Sequence, residues 1–250
     1  MFYVGYLNQI RQAEMERLVE FLPAGARVLE FGAGTGQQAR FLAERGFDVV
    51  AVDLADSTYS DHLVFPVQPY DGEHIPLGDS SVDAIFSSNV LEHVENLPAI
   101  MKEFRRILRP GGMAVHVMPT PAWRFWTFVS GYANSVVATV KAPGHILSAK
   151  ASRWKAAKND ARTILAGILP IGHGTSPEGL SELYTFSRSA WHKTFRQHGF
   201  VVTSDEPIGL FYTGHMLFGP HIPFARRNSL SRSLGSASRI YVVKPSAAAG

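Results

Sequence analysis

Residues 28–53 read VLEFGAGTGQQARFLAERGFDVVAVD, and the fold is decided in this stretch. A short apolar run, 28–31, predicts a strand. Gly32, Gly34 and Gly36 then alternate with small residues, and a helical pattern through Ala39, Leu42 and Ala43 continues until Gly46 stops it. Glycine suits such a loop because the backbone must take a positive φ or approach a ligand so closely that a Cβ would clash. A second strand, 47–52, ends at Asp53. In a right-handed β-α-β unit this acid stands beside the glycine loop at the carboxyl edge of a parallel sheet, where a ribose diol offers two hydroxyl donors.

Two nucleotide readings share these residues. Residues 34–39 satisfy the dinucleotide pattern G-x-G-x-x-G/A with Asp53 as the ribose acid, which points to a nicotinamide-dependent oxidoreductase. Counted from Gly32, however, the third glycine is replaced by Gln37. Glu30 also precedes the loop, where a pyrophosphate is repelled and a cationic amino group is welcome. The ligand suggested is a nucleoside with an ammonium-bearing tail and no phosphate.

The string Glu30-Phe31-Gly32-Ala33-Gly34-Thr35-Gly36 resembles the first motif, E/D-x-G-x-G-x-G, of the class I S-adenosylmethionine (SAM) dependent methyltransferases. The resemblance implies that Gly32, Gly34 and Gly36 lie against the methionine moiety. Glu30 is then nearby, directly or through water, and Asp53 lies on the ribose with Leu54 beside it. Residues 70–77, YDGEHIPL, resemble the family's G-D-A-E-x-L-P passage, with Tyr70 in place of glycine and Gly72 in place of alanine. That match implies that Asp71 accepts from the adenine amino group while the Gly72 amide meets a ring nitrogen; a plain surface turn is the alternative. Residues 88–94, SNVLEHV, look like the family's S-x-V-L-E-H-V and bring Asn89 to the cofactor. His93 follows a strand end, where open α/β sheets place ligands, and an unperturbed pKa near ~6.5 suits a general base. Packing beneath the cofactor is its other reading. The string RRILRPGG at 105–112 is a further family signature.

Apolar spacing at Ile10, Ala13, Leu18, Phe21 and Leu22 predicts a helix over about 7–22, packed on the sheet. A sharper reading lets Tyr6 or Arg11 reach the SAM carboxylate. Further strands are expected at 64–67, 84–87, 113–118 and 200–203, with helices at 97–109 and 187–199 and an antiparallel seventh strand at 238–244. His116 reads as a core residue. The serine- and arginine-rich 226–239 reads as a mobile loop and 246–250 as disordered.

Alternation of strand and helix is lost over 121–185. Trp123, Phe125, Trp126, Phe128 and Tyr132 precede Lys141, Lys150, Arg153, Lys155, Lys158 and Arg162, against Asp160 alone. This segment reads as an insertion forming a lid or the acceptor site, between a SAM-binding part, 1–120, and the closing helix and strands with a mobile tail, 186–250. An apolar, aromatic run beside a basic one also suits peripheral contact with a membrane. Residues 172–184 resemble, in outline, bacterial methyltransferases of surface polysaccharide or lipid-linked glycan assembly, and His173, Glu178 and Tyr184 are candidates to orient an acceptor hydroxyl and take its proton. No metal is expected, because His145, His173, His192 and His198 lack tight ligand spacing. Nucleic acid is not an expected partner, since the basic residues form no stripe with interleaved aromatics.

The chain of 250 residues is 46% hydrophobic with a net charge of +3, enough for a full core. The absence of cysteine excludes disulfides, thiolate metal sites and a thiol nucleophile. The first residues lack a basic stretch followed by an apolar one, so a cytoplasmic location is expected. Taken together, the sequence predicts a doubly wound, Rossmann-like, seven-stranded and mostly parallel α/β sheet with an insertion after strand five. The expected activity is methyl transfer from SAM to a small or lipid-linked acceptor such as a glycan, most readily at oxygen. A non-catalytic SAM-binding module and a nicotinamide-dependent oxidoreductase are the alternatives, the latter without a tyrosine and lysine paired at short spacing to support it.

Overall fold

The computed structural model describes residues 4–55, 62–146, 173, 175, 179–214 and 221–246. The chain divides into two compact units. The sheet unit holds residues 4–119, 188–208 and 238–250, and the second unit holds 1–3, 120–187 and 209–237.

In the sheet unit the strands are β1 (Arg27–Phe31), β2 (Asp48–Leu54), β3 (Val67–Tyr70), β4 (Val82–Ser88), β5 (Leu108–Pro119), β6 (Phe200–Pro207) and β7 (Ser238–Pro245). They form one seven-stranded sheet in the order β3-β2-β1-β4-β5-β7-β6. β7 runs antiparallel to both β5 and β6, and the other pairs are parallel. The expected mostly parallel α/β sheet is therefore present. Strand order reverses between β1 and β4, and open sheets bind ligands beyond the carboxyl ends at such a switch point. The central strands are apolar on both faces because both are covered: Val28, Leu29, Ala84, Ile85 and Phe86 are wholly buried.

The helices of this unit are α1 (Val4–Leu18), α2 (Gln37–Ala43) and α3 (Leu97–Ile107), with Arg188–Gln197 following the second unit. Asn96 caps α3 by accepting from the Ala99 amide at 3.3 Å, and Pro98 fits its first turn. Ile100, Met101, Phe104 and Ile107 form its buried face. Phe104 meets Phe31 edge-on at 5.1 Å. His116 is stacked between Phe104 at 5.7 Å and Phe195 at 5.6 Å. Burial pulls its pKa down to about 3, so the ring is neutral, and its Nδ1 lies 2.8 Å from Ser87 Oγ. The core reading of His116 agrees with this.

Several boundaries differ from expectation for tertiary reasons. The first helix ends at Leu18 and a 3-10 turn, Val19–Phe21, follows. The third strand lies at Val67–Tyr70, since pairing with β2 runs from Ala51↔Val67 to Leu54↔Tyr70. Val64 instead donates its amide to Thr35 O in the glycine loop at 2.9 Å. Residues 109–112 lie within β5 as a bulge, because the register jumps from Val82↔Leu108 to Ala84↔Met113. β6 extends to Pro207 along its ladder with β7.

The second unit contains α4 (Pro121–Ile146), a single turn α5 (Glu182–Thr185), and, after α6 (Arg188–Gln197) of the sheet unit, α7 (Phe224–Leu234). Thr120 starts α4 by accepting from the Trp123 amide at 3.1 Å. Arg124 and Glu182, both buried, pair at 2.6 Å. Trp126 Nε1 donates to Leu234 O at 3.0 Å. α7 replaces the mobile loop expected at 226–239. Arg227 is 1% exposed and donates to Phe211 O at 2.8 Å and Ile222 O at 3.1 Å, so this arginine anchors the helix.

Asp205 on β6 ties α6 to the antiparallel edge. Its nearly buried carboxylate accepts from Arg188 Nε at 2.8 Å, His192 Nε2 at 2.5 Å and Arg239 Nη1 at 2.6 Å. Burial raises its pKa, but the hydrogen bonds from Arg188 and His192 and the charges of Arg188 and Arg239 outweigh it, leaving the pKa below the ordinary value. The stabilisation is then present above the unfolded pKa of about 3.9 and lost as pH falls through the folded value. Asp205→Asn should cost about 1.5–3 kcal/mol at neutral pH, with the difference from wild type narrowing as pH falls toward the folded value, as read by urea denaturation.

Candidate functional site

At the switch point the glycine loop leaves β1 with Gly32, Gly34 and Gly36 all at positive φ (77°, 56° and 77°). Space forbids a side chain as firmly as conformation does. A Cβ on Gly32 would stand 2.5 Å from a Val90 methyl, and one on Gly36 2.8 Å from Phe65 Cβ. Asp53, at the end of β2, fastens the loop: one carboxylate oxygen accepts from Gly34 N at 2.6 Å and the other from Leu54 N at 2.8 Å. Remaining lone pairs leave it able to accept from hydroxyl groups. Leu54 beside it is 45% exposed, and its side chain would lie 3.5 Å from a Cβ on Gly72.

Glu30 is 1% exposed, and neither carboxylate oxygen has a hydrogen-bond partner of normal geometry. Burial pushes its pKa up to about 8; the nearby Ala39 amide opposes the rise and the Asp53 charge adds to it. The site thus holds Glu30 mainly in its neutral form near pH 7, which corrects the picture of a standing negative charge. A buried carboxyl group left unsatisfied suits an incoming cation that can pair with it.

Asp71 and Gly72 follow β3. One Asp71 oxygen accepts from the Glu73 and His74 amides at 2.8 and 2.7 Å, and these bonds hold its pKa below the usual value. Asp71 therefore builds its own turn, and its second oxygen lies 3.7 Å from His74 Nδ1 on the exposed side. A clamp absent from the sequence reading fixes the passage that follows. Glu103 accepts from the Ile75 amide at 3.0 Å, while Arg106 donates to Ile75 O, Leu77 O and Asp79 at 2.7–3.1 Å. The i, i+3 spacing of Glu103 and Arg106 was visible in the sequence, but not what the pair would grip.

Asn89 follows β4 at φ 53°, a left-handed conformation that asparagine tolerates. With its amide oriented to satisfy its neighbours, its oxygen accepts from Arg11 Nη1 at 2.5 Å. Arg11 also donates to the buried Glu14 at 2.8 Å, and Tyr6 is buried. His93 closes a 3-10 turn, Leu91–His93, with a side chain 44% exposed and Nε2 3.9 Å from Glu92. Glu30, the glycines, Asp53, Leu54, Asp71, Gly72, Asn89 and His93 all follow or end strands at the carboxyl edge of the sheet. His173 belongs to the second unit, where its amide donates to Glu182 at 2.5 Å and its ring packs on Trp123 at 4.8 Å. Tyr184, also there, is 64% exposed. Glu178 lies outside the described residues.

Residues 6–205 match the family described as "Methyltransferase domain". The chain belongs to this methyltransferase family. It is similar to the biotin biosynthesis bifunctional protein of Cellvibrio japonicus, 37% identical over 117 residues, covering 42% of this chain and 22% of that protein. A malonyl-[acyl-carrier protein] O-methyltransferase of Pectobacterium atrosepticum is 33% identical over 111 residues, covering 42% of this chain and 44% of its own length. The chain spans less than half the length of these curated relatives. Among solved structures, an S-adenosylmethionine dependent methyltransferase from Mesorhizobium loti superposes with a TM-score of 0.54 at 17% identity, covering 92% of this chain and 97% of that one. The fold is that of the SAM-dependent methyltransferases, as the sequence resemblance implied.

The raised pKa of Glu30 has a measurable sign. Between its ordinary value of 4.5 and about 8, the folded protein holds a proton that the unfolded chain has released, so stability falls as pH rises through that window. Glu30→Gln keeps the shape and cannot ionise. Thermal unfolding of the unliganded variant should lose this decline and exceed wild type above about pH 7; an unchanged slope would place the titration elsewhere.

Proposed function

We propose that this protein transfers a methyl group from SAM to an oxygen atom of a small or lipid-linked acceptor, such as a glycan. The observation that carries the reading is the buried carboxyl group of Glu30, unsatisfied at the foot of a glycine loop, in a chain of the methyltransferase family. SAM supplies an electrophilic methyl group on a sulfonium that carries its own leaving group. The chain's task is then alignment and exclusion of water. Glu30 pairs with the ammonium group and Gly32, Gly34 and Gly36 let the methionine portion lie against the backbone. Asp53 accepts from the ribose hydroxyls, the second oxygen of Asp71 accepts from the adenine amino group with the Gly72 amide beside it, Leu54 covers the ring, and Asn89 closes the site near Arg11.

An unactivated hydroxyl needs a base, and His93 takes its proton, with His173 the second candidate in the insertion. Oxygen as the acceptor atom is supported by the O-methyltransferase named among the relatives. Contact with a membrane surface would accompany a lipid-linked acceptor.

Calorimetry should show SAM binding and none of a nicotinamide dinucleotide, and labelled SAM should methylate a component of a bacterial glycan and lipid extract. With that acceptor in hand, His93→Asn should lower kcat by about 10²–10⁴ while SAM affinity stays within about twofold. Tight dinucleotide binding would return the oxidoreductase reading, and SAM binding without turnover on any fraction would favour a non-catalytic module.

A further inference from the structure

α4 is built inside out. Arg124, Thr127, Ser130 and Ser135 are buried, at 5%, 8%, 1% and 7% exposure, whereas Phe125, Val129, Tyr132, Val136 and Val140 are 42–77% exposed. At about 100° per residue, these five apolar side chains fall within an arc of about 80°. At about 1.5 Å per residue they form a stripe roughly 22 Å long. A helix packed on a protein core and wetted on its other face shows the reverse distribution.

Thr127 Oγ1 accepts from the Gly214 amide at 2.9 Å, and other hydroxyls of the helix bond to its own carbonyls. Ser130 donates to Thr127 O at 3.0 Å, Ser135 to Gly131 O at 3.0 Å and Thr139 to Ser135 O at 2.8 Å. In the outward stripe Tyr132 alone carries a hydroxyl, and the other four side chains are hydrocarbon. Charge supplies the second half of the argument. No aspartate or glutamate occurs between Glu103 and Asp160, a window that contains Lys141, Lys150, Arg153, Lys155 and Lys158. A sequence with this charge balance repels a second copy of itself and is attracted by an anionic partner. Among the described residues no helix is long and apolar enough to cross a bilayer.

We propose that the Phe125–Val129–Tyr132–Val136–Val140 face of α4 docks on the interface of a bilayer carrying anionic lipid headgroups. The helix lies in the plane of the surface, its valines and aromatic rings at the acyl boundary. This gives the lipid-linked acceptor reading above a physical route, although it is argued from the exposed face of α4 and the charge of the sequence.

Co-sedimentation with phosphatidylcholine vesicles, with and without phosphatidylglycerol, tests it. The wild-type chain should sediment with the anionic vesicles at low salt and far less with the neutral ones. The double variant Val136→Glu/Val140→Glu should lose about tenfold or more in vesicle affinity, with unchanged far-ultraviolet circular dichroism and unchanged calorimetric binding of SAM. No sedimentation of the wild type, equal sedimentation of the variant, or a wild-type dimer that the variant dissociates would each overturn the proposal, the last by assigning the stripe to a second copy. SAM calorimetry on the same samples keeps the outcomes apart, since intact SAM binding without vesicle binding removes this inference and leaves the methyl-transfer reading standing.

Discussion

A carboxyl group kept out of water at the end of β1 is the constraint around which the sheet edge is arranged. Glu30 is held by covalent position in the central strand, paired by register with Ala51 of β2 and Phe86 of β4. It cannot retreat to solvent without dismantling the core. Desolvation keeps it largely protonated, a cost to stability that any structure without a compensating partner carries. Under the proposed function the arrangement is preorganisation, with the group set in place before a cation arrives.

The loop above it is fixed from several sides. Asp53 pins Gly34 from β2, Val90 fills the space that a side chain on Gly32 would need, and Val64 bonds back to Thr35. The edge beyond β3 is held by a different device, the Glu103 and Arg106 clamp on residues 75–79. These contacts come from parts of the chain far apart in sequence. The geometry at the switch point is thus a property of the assembled sheet and not of the motif alone.

How much of this was legible in the sequence depends on the range of the forces involved. The strand, glycine loop and acid of residues 28–53 are local and read directly, as does the helical spacing of α3. Core status for His116 followed from its place in an apolar strand. Ladder registers are nonlocal, so β3 was read three residues early and β5 was expected to begin at 113 rather than at Leu108. α7 was missed because its serines and arginines look solvated, and only the buried carbonyls of Phe211 and Ile222 explain why Arg227 is inside. Glu30 was read as an ionised acid, whereas burial raises its pKa to about 8, and a sequence does not display burial. Asp53 and Asp71 were read as ligand acceptors, while their structural use, fastening a loop and a turn, depends on backbone amides brought close by folding.

The central claim is that an ammonium group meets Glu30. Calorimetric titration of SAM at pH 7 in buffers of differing ionisation heat measures it most directly. Pairing must leave one proton fewer on the carboxyl and amino groups together, so the account predicts release of somewhat less than one proton per SAM bound, abolished in Glu30→Gln. Binding with a heat independent of buffer, or proton release that persists in the variant, would contradict it.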